Sequence, residues 1–173
     1  EDVSWLRKKY HIPAGPYLLC LSTIEPRKNL RNTLLAFTQL KAELELRHKT
    51  NHHPIAQSLR GGTQTSADLR FADSRVIQDF FQALERPIKE YLSEVGGAKD
   101  HPLTRRNNGA YRLSGAWSVK LSGDGFHVNH VHPEGWISSA FYVDVPNGTQ
   151  DDPEKKGWIK FGEPPFKVPD NGT

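Results

Sequence analysis

Two neighbouring runs decide the fold: Trp117-Ser-Val-Lys-Leu and, after a short gap, Gly125-Phe-His-Val-Asn-His-Val-His. In the first run apolar and polar side chains alternate, which is the period of a half-buried β-strand. The intervening Ser122-Gly-Asp-Gly favours a turn, because glycine adopts the backbone angles that tight turns need. We therefore predict one strand over residues 111–121 and a second over residues 126–132.

The β-strand pattern continues downstream of these two runs. Residues 136–145 are rich in aromatic and β-branched side chains, and Pro146-Asn-Gly-Thr after them favours another turn. Residues 157–162 predict a fourth strand. Short strands at this spacing are typical of an all-β sandwich or barrel rather than of β-α-β units.

The first part of the chain has a different pattern, that of a single β-α unit. Residues 17–22 form an apolar run of strand length. From Leu30 to about residue 48 apolar side chains recur at helical spacing, with Asn29 as the candidate N-cap. The chain as a whole is therefore predicted to be α+β, with its architecture changing near the middle.

A second amphipathic helix is predicted after Asp73 or Ser74, either of which can cap it, and it ends at Gly96-Gly97. Pro87 has no backbone donor, so we expect it to kink or split this helix. Upstream, Arg60-Gly-Gly-Thr-Gln-Thr could cradle an anion with backbone amides, although such a glycine-centred loop is more often a plain turn.

Composition and charge limit the classes of function. The net charge is +3, but Lys and Arg are interleaved with Asp and Glu, so no nucleic-acid partner is expected. The longest apolar run is too short to span a bilayer. Cys20 is the only cysteine, which excludes an intramolecular disulfide, and we expect a cytoplasmic protein.

Three of the eight histidines fall within six positions, at 127, 130 and 132. In a strand, His130 and His132 project to the same side, about 6–7 Å apart along the backbone, whereas His127 should face the other side unless a bulge intervenes. Two neutral imidazoles suit Fe(II), Zn, Cu or Ni. Two surface histidines are the alternative interpretation. Pro133-Glu-Gly ends the strand directly after the pair, which would place the rings at the rim of a sheet.

Several separated motifs resemble a known family in the expected order. They are Trp117-Ser-Val-Lys-Leu, the run from Gly125 to Pro146, Gly157-Trp-Ile-Lys-Phe-Gly-Glu-Pro-Pro, the upstream His53 to Thr65 and His101-Pro-Leu. Roughly residues 46–168 resemble the 2-oxoglutarate/Fe(II)-dependent oxygenases that are often found behind tetratricopeptide repeats in bacteria.

The resemblance implies a partial double-stranded β-helix, a jelly-roll or cupin-like barrel with flanking helices. It implies Fe(II) and 2-oxoglutarate as cofactors and a dioxygenase (hydroxylase) reaction on a C–H bond. His130 and His132 occupy the first two metal-ligand positions, and the second histidine departs from the commoner aspartate. Tyr142 and Ser138 lie where the family receives its cosubstrate. The primary substrate, a protein side chain or a small molecule, stays open.

The family's distal histidine and its basic residue for 2-oxoglutarate are expected downstream of residues 157–162, where this sequence has neither before Thr173. We therefore expect residues 46–173 to be an oxygenase-like domain truncated at its C-terminus and inactive alone. A non-catalytic β-sandwich that binds a metal or ligand is an alternative.

Residues 5–43 resemble the first strand and helix of the donor-binding domain in GT-B nucleotide-sugar glycosyltransferases. Arg27 and Lys28 would lie at a helix N-terminus, a position suited to a diphosphate. One β-α unit cannot form that domain, because its sheet needs neighbouring strands. We expect residues 1–45 to be a glycosyltransferase-like fragment that packs poorly against the remainder.

Overall fold

The computed structural model describes residues 8–9, 30–49, 57–149 and 152–167. The regular elements of this part of the chain, in order, are helix α1 (Leu30–Glu45), strand β1 (Leu59–Gln64), a 3-10 turn (Leu69–Phe71), helix α2 (Arg75–Val95), a second 3-10 turn (Thr104–Arg106) and strand β2 (Val119–His127). The described part of the chain is thus a mixture of helices and one small antiparallel sheet.

The two helices pack on each other and form a small hydrophobic core. Leu40 of α1, Leu69 of the first 3-10 turn and Ile77 of α2 are buried in one cluster. Both helices were predicted from apolar periodicity, and both are confirmed in position. The expectation that residues up to 45 pack poorly is wrong for α1, because Leu40 is part of this core. The predicted strand at residues 17–22 and the cap Asn29 lie outside the described residues.

Helix α2 begins and ends at the residues that the sequence predicted. Ser74 is the N-cap residue, with an extended backbone, and Gly96 at the C-terminal end has φ +68°, a conformation that glycine adopts most easily. The Ser74 hydroxyl does not cap the helix. Arg47 lowers the pKa of the nearby Glu43 carboxyl, and Ser74 adds a smaller lowering. Helix α2 continues through Pro87 rather than splitting there.

Strands β1 and β2 pair antiparallel, from Leu59 opposite His127 to Gln64 opposite Val119. The register shifts between Arg60 and Gly62, so a bulge interrupts the pairing. Two predictions are corrected by this sheet. The glycine-centred segment of residues 60–65 is mostly strand β1 rather than an anion-binding loop. The predicted turn at residues 122–125 lies inside β2, where it forms the longer side of the bulge.

The other predicted strands are not seen. Among the described residues the sheet has two strands, and residues 111–118, 128–132, 136–145 and 157–162 have no regular secondary structure. An alternating segment becomes a strand only when neighbouring strands accept its backbone hydrogen bonds and cover its apolar face. Phe141 and Phe161 are instead 53% and 75% exposed. The structure therefore does not show the expected jelly roll.

A few side-chain contacts hold the irregular residues 128–149 against the helices. The Phe141 ring packs edge-on against Phe80 of α2, with ring centres 5.0 Å apart. The Lys41 ammonium donates to the Asp144 carboxylate at 2.8 Å. No helix in the described ranges is long and apolar enough to cross a membrane.

Candidate metal centre at the histidine cluster

The histidine cluster, defined here as His127, His130 and His132, begins where β2 ends. His127 is the last residue of β2 and pairs with Leu59, which is fully buried. Ser58, directly before β1, contacts both the backbone after His127 and the His127 ring. The Val128 amide donates to the Ser58 carbonyl at 2.9 Å, and His127 Nδ1 lies 2.9 Å from Ser58 Oγ.

His130 follows in the irregular segment, and its ring orientation is set by its own backbone. His130 Nδ1 lies 2.8 Å from the Val128 carbonyl oxygen. Since a carbonyl only accepts hydrogen bonds, Nδ1 carries the proton and Nε2 of the neutral ring keeps its lone pair. This is the common arrangement of a metal-binding histidine, whose second nitrogen donates to an oxygen nearby.

His132 is held by ring contacts. Its ring centre lies 5.4 Å from that of Trp117 and 4.9 Å from that of His130, and it meets the His130 ring nearly at a right angle, 85°. The ring of His127 also lies beside that of His130, with a centre-to-centre distance of 5.6 Å. His130 is therefore the middle member of the cluster.

The surroundings favour neutral imidazoles. Burial lowers the pKa of His127, and the nearby His130 and His132 lower it further. Burial also lowers the pKa of His132, with His130 adding to the shift. A metal ligand must be unprotonated, so a lowered pKa extends the pH range in which these rings can bind a cation.

The donor chemistry fits a divalent transition metal at His130 and His132. Two imidazoles on adjacent positions of one ion, with metal–nitrogen distances of roughly 2.1 Å, have ring centres about 4.5–5 Å apart. The observed 4.9 Å agrees with that geometry. Among the residues that the structure describes, no group of three or more His, Cys, Asp or Glu side chains is placed so that it could hold a metal ion.

The outcome for the predicted site residues is mixed. The rings of His130 and His132 lie together, but not for the predicted reason, because β2 ends at His127 and neither residue is in a strand. The prediction that His127 faces away is wrong, since alternation of sides stops where the strand stops. The role of His130 and His132 as ligands stays a prediction.

Ser138 and Tyr142, predicted to receive the cosubstrate, are exposed and lie in the irregular segment. The hydrogen bonds of the cluster go to Ser58 and Val128 instead. Arg27 and Lys28 lie outside the described residues. Sequence reasoning missed the contact between Ser58 and His127, because it joins residues 69 positions apart in the chain.

A groove of about 780 Å³ opens beside the cluster. Its wall includes His127, Asn129, Lys160, Lys167 and two phenylalanines, Phe126 and Phe166. Glu163 accepts from Lys160 at 2.6 Å, so this ammonium is already paired. The groove gives His127 an approach from solvent.

Comparison with known proteins gives one match. The model of the family described as "Putative 2OG-Fe(II) oxygenase" matches residues 115–173, about a third of the chain. No curated protein and no solved structure matches the chain, and nothing in these comparisons supports the glycosyltransferase resemblance of residues 5–43. The segment that carries the histidine cluster is thus similar to a family of Fe(II)- and 2-oxoglutarate-dependent oxygenases.

Proposed function

We propose that residues 46–173 are an Fe(II)- and 2-oxoglutarate-dependent dioxygenase domain, with His130 and His132 as two of its metal ligands. The observation that carries the proposal is the coincidence of two independent features. The family match spans residues 115–173, and within it two imidazoles lie at a separation that one ion can bridge.

Each histidine makes a separate contribution in this proposal. His130 presents Nε2 to the ion because Nδ1 is engaged with the Val128 carbonyl. His132 is oriented by Trp117, whose ring also covers one side of the imidazole. His130 and His132 would hold Fe(II), which together with 2-oxoglutarate would supply the oxygen-activating chemistry of the reaction. Open coordination positions are required for this chemistry, and two protein ligands leave room for them.

The proposed architecture is a partial double-stranded β-helix, of which β1 and β2 are two strands. Its support is the large number of exposed apolar side chains after β2, among them Val131, Phe141, Ile159 and Phe161. A soluble domain rarely leaves so many of them uncovered. Additional strands laid beside the irregular segments would cover these side chains and satisfy their backbone groups.

We place the 2-oxoglutarate site near Ser138 and Tyr142, by resemblance. Both side chains end in a hydroxyl that can donate to a carboxylate. Their exposure leaves both hydroxyls accessible to a small anion. The primary substrate belongs to the class of molecules with an oxidisable C–H bond.

The test is an anaerobic titration of the full chain with Fe(II) followed by 2-oxoglutarate, monitored in the visible range. A weak charge-transfer band is expected in the native chain and in His101→Gln. His101 is exposed, lies outside the cluster and only accepts from the Leu103 and Thr104 amides. The band should be lost in His130→Gln and in His132→Gln. A native chain that binds Fe(II) but gives no band with 2-oxoglutarate would contradict the oxygenase proposal and favour a non-catalytic metal site.

A further inference from the structure

The sequence contains Asn-Gly pairs at residues 108–109, 147–148 and 171–172. We propose that Asn147 is a site of spontaneous deamidation in the folded chain, whereas Asn108 is protected by its hydrogen bonds. The pair at residues 171–172 lies outside the described residues. The inference does not depend on the proposed metal site, and it assigns a chemical modification to the segment that follows the predicted cosubstrate residues.

Deamidation begins when a backbone nitrogen attacks the side chain of the preceding residue. The Gly148 nitrogen bonds to Asn147 Cγ and gives up its proton, the Cγ–Nδ2 bond breaks, and ammonia leaves with that proton. Water then opens the cyclic imide at either carbonyl, which yields an aspartate or an isoaspartyl linkage. The reaction needs no oxidant or reductant. A following glycine favours the attack, because it has no side chain to obstruct it and its backbone adopts a wide range of conformations.

The Asn147-Gly148 pair is open to this reaction. Both residues are exposed, and a Cβ placed on Gly148 would meet no atom within 4 Å. They form the middle of a turn in which the Thr149 amide donates to the Pro146 carbonyl at 3.3 Å, and Gly148 has φ +84°, as the third residue of a type II turn does. Within the described part of the chain, neither the Gly148 N–H nor the Asn147 side chain has a hydrogen bond.

The Asn108-Gly109 pair is also exposed, but both of its reacting groups are hydrogen-bonded. The Gly109 amide, which would be the attacking group, donates to Asn107 Oδ1 at 3.0 Å. The Asn108 side-chain oxygen accepts from the Ala110 amide at 3.0 Å. Asn107 is itself fixed, because its Nδ2 donates to two carbonyl oxygens at the C-terminal end of α2. Both bonds to the pair must break before the imide ring can close, so deamidation is slowed there.

The modification has a local structural consequence. In the isoaspartyl product the main chain runs through the side chain of residue 147, which adds a carbon to the backbone between Pro146 and Thr149. The Thr149 Oγ1 donates to the Pro146 carbonyl at 2.9 Å, and the Trp158 indole donates to the Thr149 carbonyl at 2.8 Å. We expect both contacts to weaken in the modified chain, which also carries an additional negative charge.

The experiment incubates the full chain in mildly alkaline buffer, folded in one sample and unfolded by concentrated urea in the other. Liquid chromatography with mass spectrometry of the digested chain follows deamidation at each asparagine separately. In the folded chain Asn147 should react about 10-fold or more faster than Asn108, the factor that corresponds to breaking two hydrogen bonds. In urea the two rates should converge, because both pairs have the same dipeptide and the protecting bonds are gone.

Two variants sharpen the comparison. Asn107→Ala removes the acceptor of the Gly109 amide, so Asn108 should react faster in the folded chain while the rate at Asn147 stays the same. Asn147→Gln should lose the modification at that position and keep the Trp158 indole N–H signal unchanged on ageing. Equal rates at the two sites of the folded native chain overturn the inference. A rate ratio that is the same in urea also overturns it, because the difference would then come from the sequence alone.

Discussion

The helices and the segment after β2 both contain many large apolar residues, but they bury these side chains to different extents. Leu40, Leu69 and Ile77 are buried together between α1, the first 3-10 turn and α2. After β2, side chains such as Phe141 and Phe161 remain more than half exposed. A helix makes its backbone hydrogen bonds within itself and needs one partner for its apolar face, whereas a strand also needs a neighbouring strand for its backbone hydrogen bonds. The buried hydrophobic cluster of the described residues therefore lies in the helical region.

The largest effect that distinguishes the two regions is expected from core truncation. Ile77→Ala removes a side chain that is 1% exposed and should lower the free energy of unfolding by about 2–5 kcal/mol. Phe161→Ala, in the irregular region, should change it by less than about 0.5 kcal/mol. Urea denaturation followed by circular dichroism measures both. Equal losses would show that the region after β2 has a core of its own.

A smaller loss is expected where the two strands approach most closely. A Cβ at Gly125 would clash with the Gly61 carbonyl oxygen, so Gly125→Ala should cost about 1–3 kcal/mol. Gly97→Ala is the matched control, because a Cβ there meets only the Asn107 carbonyl at an ordinary 3.5 Å. Thermal melts of the two variants should differ clearly, and coincident melts would mean that the bulge pairing is not maintained.

Acidification should weaken the link between α1 and the sheet. His48 Nδ1 lies 2.7 Å from Thr63 Oγ1, and His48 Nε2 lies 3.0 Å from Ser118 Oγ. Burial lowers its pKa, Lys120 lowers it further and Glu45 opposes the shift. Because the unfolded chain then takes up the proton first, this stability is present above a pH of about 6.5 and is lost as the pH falls through the folded pKa.

His48→Gln should flatten the dependence of unfolding free energy on pH between pH 7 and pH 5, as measured by urea titrations at several pH values. A slope in His48→Gln as steep as in the native chain would assign the dependence to other groups, such as His127 and His132, whose pKa values are also lowered.

The smallest effect is expected at the ion pair that joins the two regions. Lys41 and Asp144 are 2.8 Å apart, and their side chains are 39% and 59% exposed. Asp144→Asn should therefore cost no more than about 1 kcal/mol, and less at high salt because exposed pairs are screened. Denaturation at low and high ionic strength measures the difference. A loss of several kcal/mol that ignores salt would indicate a buried role for Asp144.

The helices could be predicted because their signals are local. Apolar spacing, Ser74 and Gly96 placed α2 almost to the residue, since a helix of 21 residues makes its hydrogen bonds within itself. The strands could not be predicted equally well. Alternation at residues 136–145 indicates a strand only if partners are present, and the sheet that the structure describes pairs β2 with β1 alone.

The candidate site was predictable in part. His130 and His132 were identified from their spacing and from the family resemblance, and their rings lie together. Strand parity predicted that His127 faces away from the pair, but its ring lies 5.6 Å from that of His130, because β2 ends at residue 127 rather than continuing to residue 132. Ser58 gave no signal of its own in the sequence. Its contact with His127 spans 69 residues and follows only from the β1–β2 register.

The most direct test of the central claim, that the histidine cluster and the family match describe one metal-dependent site, is the metal dependence of 2-oxoglutarate binding. Calorimetry of the full chain with 2-oxoglutarate, with Mn²⁺ as an oxygen-stable substitute for Fe(II), measures it. We predict binding only when Mn²⁺ is present, and its loss in His130→Gln. Binding of equal strength without metal, or unchanged in that variant, would contradict the account.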